Sequence, residues 1–139
     1  MAPEVSGFTP TWAAGYHFSQ SVAEGDLVVA SGQAGFRDDG SLVEDFEGQF
    51  RQALANLDAV LRAQGASLRS VLRLTTYLAD PFDYAAFKTV RAEVLTAPYP
   101  ASTAVVVGFV FPGMLVEVEA IASRRGDRVA APDGTADAL

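Results

Sequence analysis

The sequence lacks cysteine altogether and contains a single histidine, His17, among 139 residues. The absence of cysteine excludes disulfide bonds, thiolate catalysis and metal sites with cysteine ligands. A zinc site built on one histidine would need carboxylates for nearly all of its other ligands. We therefore expect no structural metal.

Positive charge and long apolar runs are scarce as well. Ten Lys and Arg residues stand against seventeen Asp and Glu, which gives a net charge of −7 and a pI near 4.5. Proteins that bind a phosphate backbone use clustered Lys and Arg, so we do not expect nucleic acid as a partner. No segment approaches the ~20 apolar residues that span a bilayer, and no basic region followed by an apolar run opens the chain. We expect a soluble, cytoplasmic protein with no membrane partner.

Half of the residues are hydrophobic, and most of the twelve glycines and seven prolines stand between periodic segments. This composition fits one compact domain that is large enough to bury a core. Charged residues make up only 19% of the chain, which favours burial of some surface by self-association. We predict an irregular lead-in over 1–15, a domain over 16–125 and a mobile tail over 126–139.

Two helices and five strands are predicted inside the domain, after a lead-in whose Phe8 and Trp12 could dock on the core. Asp45 is a candidate N-cap for a helix that ends near Gly65, and Asp80 with Pro81 begins a second helix that runs to about Leu95. The apolar stripe of the second helix consists of Tyr84, Phe87, Val90 and Val94. The strands are predicted at 19–23, 27–31, 71–79, 103–107 and 116–123. The run 27–30 is predicted to be buried on both faces, Gly32 and Gly35 to bound a loop, and 38–40 to form a turn.

The order strand, strand, helix, strand, helix, strand, strand favours an α/β domain with one mixed sheet. Both helices would then pack on one face of that sheet through right-handed crossovers. The opposite face would be uncovered, and self-association into a closed ring is the simplest way to bury its apolar side chains.

The last predicted strand carries two glutamates on one face. Side chains two apart on a strand point the same way, so Glu117 and Glu119 share a face with Leu115 and Ile121. A carboxylate among apolar side chains needs a partner, and without one its pKa rises toward the range useful for proton transfer. The pair therefore indicates a reactive site or a polar contact between subunits, while a wet sheet edge or structural ion pairs would explain the same spacing.

Four segments in order resemble the Rid (YjgF) family of enamine and imine deaminases, also described as endoribonuclease L-PSP-like. They are Phe18-Ser19-Gln20, Val29-Ala30-Ser31-Gly32-Gln33, Pro98-Tyr99-Pro100-Ala101-Ser102-Thr103 and Val116-Glu117-Val118-Glu119-Ala120-Ile121-Ala122. The resemblance implies a chorismate-mutase-like homotrimer with an internal barrel of sheets, helices outside and a small-molecule site in each cleft between subunits. Active members hydrolyse reactive enamines or imines to carbonyl compounds and ammonia without a cofactor.

The resemblance also implies roles for single residues. Glu119 matches a glutamate that positions or activates water, Phe18 stands where a tyrosine lines the pocket, and Ser102 stands where an arginine grips the substrate carboxylate. A serine hydroxyl offers one neutral hydrogen bond in place of a charged fork, so an anionic substrate should bind poorly.

Other candidate binding groups are less specific. Thr103, the backbone near Gly32 and that of Val105 to Val107 could hold polar atoms of a ligand, although hydroxyls after a proline are as often local caps. His17 could carry a proton or be an idle surface histidine. Arg37 and Arg73 are the cations that could replace the missing arginine, and for Arg73 a structural ion pair is the alternative. Along its strand Arg73 is predicted to share a face with Thr75 and Tyr77, opposite Leu72, Leu74 and Leu78.

Two functions remain open at this point. The first is a hydrolase that deaminates a small enamine or imine whose best-bound group need not be a carboxylate, and the second is a noncatalytic trimer that binds a metabolite or a protein in the same clefts. Ribonuclease activity, a label that the family often carries, has little physical basis in an acidic chain with one histidine.

Overall fold

A computed structural model describes residues 2–132 of the chain. It contains six strands, β1 Glu4–Val5, β2 Ser21–Glu24, β3 Leu27–Ala34, β4 Val71–Leu78, β5 Ala101–Val106 and β6 Val116–Ser123. The two α-helices are α1 Phe46–Arg62 and α2 Tyr84–Val94. The strands form one sheet in the order β1-β2-β3-β6-β4-β5, in which only the β4–β5 pair is parallel. The predicted mixed α/β sheet is confirmed.

The prediction for α1 is confirmed at both ends, whereas α2 begins at Tyr84 rather than at Pro81. The Asp45 carboxylate accepts a hydrogen bond from the Gly48 N–H at the start of α1, and Gly65 beyond its end has a left-handed φ of 82°. The Asp80 side chain caps a single 3₁₀ turn, Pro81–Asp83, that leads into α2. On α2, Phe87 and Val90 are buried and the partly buried Val94 packs against the core, whereas Tyr84 at the first turn is half exposed.

The core lies between the helices and one face of the sheet. Alternate residues of β6, from Val116 to Ala122, are buried against α1 together with Val28 and Ala30 of β3. Fully buried helix residues such as Phe50 complete this layer. Burial of these apolar side chains is the main term that stabilises the two-layer arrangement.

The other face of the sheet, here called the open face, is not covered by a helix. Val29 is 53% exposed and Ile121 is 37% exposed on this face. The prediction that 27–30 is buried on both faces is therefore wrong within the chain, because helices cover only one side and the run alternates. Leu72 was expected to face inward with Leu74, but it is 43% exposed, since a bulge between Val71 and Arg73 shifts the register there.

Two further expectations about the first forty residues need correction. The segment from Gly32 to Ala34 belongs to β3 rather than to a loop, and its register against β6 shifts between Ala30 and Gln33. The lead-in contains a short strand, β1, and its Phe8 stays 39% exposed. The turn at 38–40 is present, with Gly40 at a φ of 87°.

The chain beyond β6 is irregular but attached at Arg128. Its guanidinium donates hydrogen bonds to four backbone carbonyls, those of Leu68, Val71, Thr96 and Pro98, at 2.7 to 3.1 Å. Half of the predicted tail, 133–139, lies outside the described residues. Its mobility and the division of the chain at 15 and 125 stay predictions.

Candidate functional site

A cavity lined mainly by aromatic rings lies where β3 and β6 meet the lead-in and the β5–β6 loop. We call it the aromatic pocket, and its volume is about 350 Å³. It is lined by Trp12, Tyr16, Phe18, Gly32, Ala34, Phe36, Gly40, Phe111, Met114 and Glu117. Glu117 is the one charged residue among these ten.

The five rings of the pocket form a continuous arc. Trp12 stacks on Phe36 with ring centroids 5.4 Å apart, and Phe111 meets Phe36 edge to face at 6.2 Å. Tyr16 contacts both Phe111 and Phe18, each at 6.2 Å. Such separations are those of favourable aromatic pairs, so the rings hold one another in place although they come from separate segments.

Helix α1 fixes both walls of the pocket through two amide side chains. The Asn56 amide donates hydrogen bonds to the carbonyls of Ala34 and Phe36 at 2.9 and 2.8 Å. Gln49, which is fully buried, donates to the Gly113 carbonyl and accepts from the Leu115 N–H, both at 2.8 Å. The end of β3 and the start of β6 are therefore anchored to the same rigid helix.

The Glu117 carboxylate lies directly against the backbone of Gly32. A Cβ atom added at Gly32 would stand 2.8 Å from Cδ of Glu117, closer than real contacts allow. Within residues 2–132 no hydrogen bond or ion pair reaches this carboxylate, and burial, with a contribution from the charge of Glu119, raises the pKa of Glu117. Glycine at position 32 is thus required for the approach of a poorly solvated acid to the backbone.

Glu119 lies in a different environment, two residues further along β6. Together with Val29, Arg73, Thr75 and Tyr77, it lines a hollow of about 350 Å³ on the open face, here called the Glu119 hollow. The Tyr77 hydroxyl donates a hydrogen bond to Glu119 Oε1 at 2.5 Å. This bond, burial and the charge of Glu119 raise the pKa of Tyr77. The Glu119 carboxylate is therefore held by a partner of its own chain.

Ser102 points away from both cavities. In β5 it is paired with Leu74, whose side chain is buried on the helix side, and its hydroxyl accepts a hydrogen bond from Arg91 of α2 at 3.1 Å. The Arg91 guanidinium also lies 4.7 Å above the centre of the Phe87 ring. Thr103 and Val105 are exposed on β5, which is an edge of the sheet within the described residues.

Only some of the remaining predicted site residues line the aromatic pocket. Phe18 and Gly32 do line the aromatic pocket, and Val107 lines a neighbouring hollow that shares Glu117, Phe111 and Met114 with it. The Val107 N–H already donates to the Leu78 carbonyl at 2.9 Å. His17 is exposed and Arg37 donates to the Ser41 hydroxyl, so neither is part of the aromatic pocket.

Sequence reasoning missed most of the pocket wall. Tyr16, Phe36, Phe111 and Met114 were not singled out, and Glu117 was noted only as one of a pair. The rings come from three separate segments and follow no period, so no local pattern joins them. The available signal was Gly32, because a glycine inside a strand often marks the close approach of another group.

The described residues hold no group of three or more His, Asp or Glu side chains arranged to bind a metal. None of the helices between residues 2 and 132 is both long enough and apolar enough to cross a membrane. What the pocket offers chemically is an apolar chamber with one carboxylate, which can accept and return a proton or balance a positive charge.

A model of the family described as Endoribonuclease L-PSP matches residues 9–124. The chain is 37% identical over 109 residues to the RutC family protein YjgH of Escherichia coli, covering 77% of this chain and 82% of that one. It is 31% identical over 112 residues to a 2-iminobutanoate/2-iminopropanoate deaminase of Salmonella typhimurium, covering 78% and 88%. The structure is similar to that of RidA from a Psychrobacter species, with a TM-score of 0.80, 35% identity and coverage of 86% and 98%. The mixed sheet with two helices is shared with that structure.

Proposed function

Because this chain belongs to the endoribonuclease L-PSP family, which includes the Rid and YjgF proteins, we propose that it hydrolyses small imines or enamines and releases ammonia. The reaction takes place in the aromatic pocket. A relative of this chain that is named a 2-iminobutanoate/2-iminopropanoate deaminase supports this class of reaction.

The single observation that carries the proposal is the position of Glu117. It is an acid without a partner among the described residues, it lies in an apolar chamber, and burial raises its pKa. A carboxyl group in such surroundings has a proton affinity closer to that needed for transfer to and from water and nitrogen near neutral pH. We therefore assign proton transfer to Glu117, while the role of Glu119 that the family resemblance implies stays an untested prediction.

The proposed chemistry needs only water and this carboxylate. Water adds to the carbon of the C=N bond while Glu117 accepts one of its protons, and the same proton is returned to the nitrogen. Glu117 then takes the hydroxyl proton of the resulting carbinolamine and passes it to the nitrogen, so the C–N bond breaks, ammonia leaves and the carbon becomes a carbonyl. An enamine first takes a proton on its carbon and gives up one from its nitrogen to become the imine. Positioned proton transfer of this kind contributes about 10²- to 10⁴-fold to a rate.

Self-association into a homotrimer is part of the proposal. The exposed apolar residues Val29 and Ile121 lie on the open face, and an apolar face of this kind favours burial against further copies. Ser102, Thr103 and Val105 lie on the edge strand outside the aromatic pocket of their own chain. Their predicted contacts with a ligand therefore require a neighbouring copy. The cytoplasmic location likewise stays a prediction.

A noncatalytic binding function is the second candidate, and the residue at position 102 favours it. Ser102 cannot supply the charged fork that the resemblance implies, and its hydroxyl is engaged by Arg91. A protein that binds a metabolite in the pocket without turnover would be stabilised by that metabolite. Ribonuclease activity is not favoured, because the chain carries a net charge of −7 and no Lys or Arg lines the aromatic pocket.

Ammonia release from a panel of imines generated in the assay tests the hydrolase. The panel contains anionic imines from amino acids, neutral imines from simple amines and cationic imines from diamines. We expect the purified protein to accelerate release from at least one class, and Glu117→Ala to lose most of that activity while keeping the oligomeric state. Glu24→Gln, an exposed change at the far end of β2, serves as the control. An inert panel together with ligand-induced stabilisation would favour the binding function instead.

A further inference from the structure

We infer that the aromatic pocket selects a positively charged ligand, an ammonium or protonated imine group, rather than the anion expected from the family resemblance. This inference deepens the proposed function, since it names the substrate class of the same pocket. The juxtaposition that carries it is an arc of five aromatic rings beside one carboxylate that has no partner within residues 2–132.

The five aromatic rings favour a cation in the pocket. An aromatic face carries negative electrostatic potential, and several faces around one space attract a cation, most strongly when that cation is poorly hydrated. The arc of five rings lines a chamber of about 350 Å³, which is large enough for a small ammonium group with its alkyl substituents.

The Glu117 carboxylate favours a cation as well. A half-buried charge has lost part of its hydration and is stabilised by a partner of opposite sign, and none of the described residues provides one for Glu117. Lys and Arg are absent from the ten residues that line the pocket. A ligand cation would neutralise Glu117, whereas a ligand carboxylate would meet a like charge and the negative faces of the rings.

The arginines beside Ser102 and Glu119 lie in other hollows. Arg91 and Lys88 line a separate hollow with Ser102 on the helix side of β5, and Arg91 is engaged by the Phe87 ring and the Ser102 hydroxyl. Arg73 lies in the Glu119 hollow. Neither arginine lines the aromatic pocket, and none of its ten lining residues is Lys or Arg, so the described part of the chain offers no anion clamp there.

Choline and its neutral carbon isostere, 3,3-dimethylbutan-1-ol, form the test pair, with 3,3-dimethylbutanoate as the anionic probe. Trp12 is the sole tryptophan of the chain and forms part of the wall, so its fluorescence reports occupancy, and thermal stabilisation is a second readout. We expect choline to bind at least about tenfold more tightly than the alcohol, and the acid to bind most weakly. Equal affinity for choline and the alcohol, preference for the acid, or no binding of choline would overturn the inference.

Variants separate the two parts of the site. Glu117→Gln should weaken choline binding about tenfold without weakening binding of the alcohol, and Glu24→Gln should leave both unchanged. Phe111→Leu, which keeps apolar bulk but removes a ring, should weaken choline binding by about two- to thirtyfold. If Glu117→Gln affects choline and the alcohol equally, the selectivity for charge is refuted.

The outcome is separable from that of the hydrolase. Choline binding without turnover of any imine would refute the proposed reaction and leave the cation site standing. Turnover confined to anionic imines, without choline binding, would refute the cation site and leave the proposed reaction standing.

Discussion

Two glutamates on one strand face, Glu117 and Glu119, occupy contrasting environments in this molecule. Glu117 lies against Gly32 in the aromatic pocket without a hydrogen bond from the described residues, whereas Glu119 accepts a hydrogen bond from Tyr77 in the Glu119 hollow. The unpartnered acid is suited to proton transfer or to a cation, and the partnered acid is suited to holding structure. A spacing of two residues identifies a shared face, but the neighbours of each side chain decide its chemistry.

The largest effect is expected on the open face, where Val29 lines the same hollow as Glu119. Lysine at this position would place a charge on the open face inside the proposed trimer contact, so Val29→Lys should abolish the trimer. Sedimentation or light scattering should then give about one chain mass of 14.6 kDa, while the unmodified protein gives about three times that value. Ala55→Lys, on the exposed side of α1, should leave the assembly intact. A monomeric unmodified protein would refute the trimer.

A side chain added at Gly32 should disturb the position of the Glu117 carboxylate. In Gly32→Ala the new Cβ would displace the Glu117 carboxylate, and a shift of about 1 Å at a reacting group can lower a rate about 100-fold. Because the displaced atoms are the end of a flexible side chain, the melting temperature should change little. Gly7→Ala, where an added Cβ meets nothing within 4 Å, is the control. Full imine hydrolysis by Gly32→Ala would contradict the placement of the reaction.

The hydrogen bond in the Glu119 hollow should be measurable as stability. Tyr77→Phe removes the donor to Glu119 and should lower the free energy of unfolding by about 1 to 2 kcal/mol, as measured in urea. Tyr84→Phe, on a half-exposed residue of α2, should change it by less than about 0.5 kcal/mol. Equal effects of the two substitutions would mean that the Tyr77 bond does not stabilise the fold.

The smallest effect concerns the stability of the protein without ligand. The pKa of Glu117 is raised in the folded state, so folding favours its protonated form, and this contribution to stability is lost as pH rises through that raised pKa. Glu117→Gln, which resembles the protonated acid, should therefore melt at a higher temperature than the unmodified protein at neutral pH, and the difference should vanish in acid. Tyr16, Tyr77 and Glu119 are the other titratable groups near this carboxylate, and Glu119→Gln controls for the effect of the neighbouring charge. A lower melting temperature of Glu117→Gln at neutral pH would contradict burial of an unpartnered charge.

Local signals explain how much of the fold could be predicted. Asp45 and Gly65 bound α1 because capping is a property of a few neighbouring residues, and the strand 116–123 follows from alternation alone. The exposure of Val29 could not be read in this way, because it depends on which sheet face the helices cover. The bulge at Leu72 likewise depends on pairing with a distant strand.

The candidate site was less predictable for the same reason. Trp12, Phe36 and Phe111 are far apart in sequence and come together in the folded chain, where β3 and β6 are anchored to α1. The resemblance to a family led to Phe18 and Gly32, which do line the pocket, and to Glu119, which does not. The contact of Glu117 with Gly32 and the hydrogen bond from Tyr77 to Glu119 distinguish the two glutamates, and both depend on the three-dimensional fold.

The most direct test of this account compares the turnover of Glu117→Gln and Glu119→Gln on the best imine of the panel, with both proteins verified as trimers. We predict that Glu117→Gln loses about 100-fold or more in kcat/KM and that Glu119→Gln stays within about tenfold of the unmodified protein. Loss of activity in Glu119→Gln with retention in Glu117→Gln would contradict the assignment of the chemistry to the aromatic pocket.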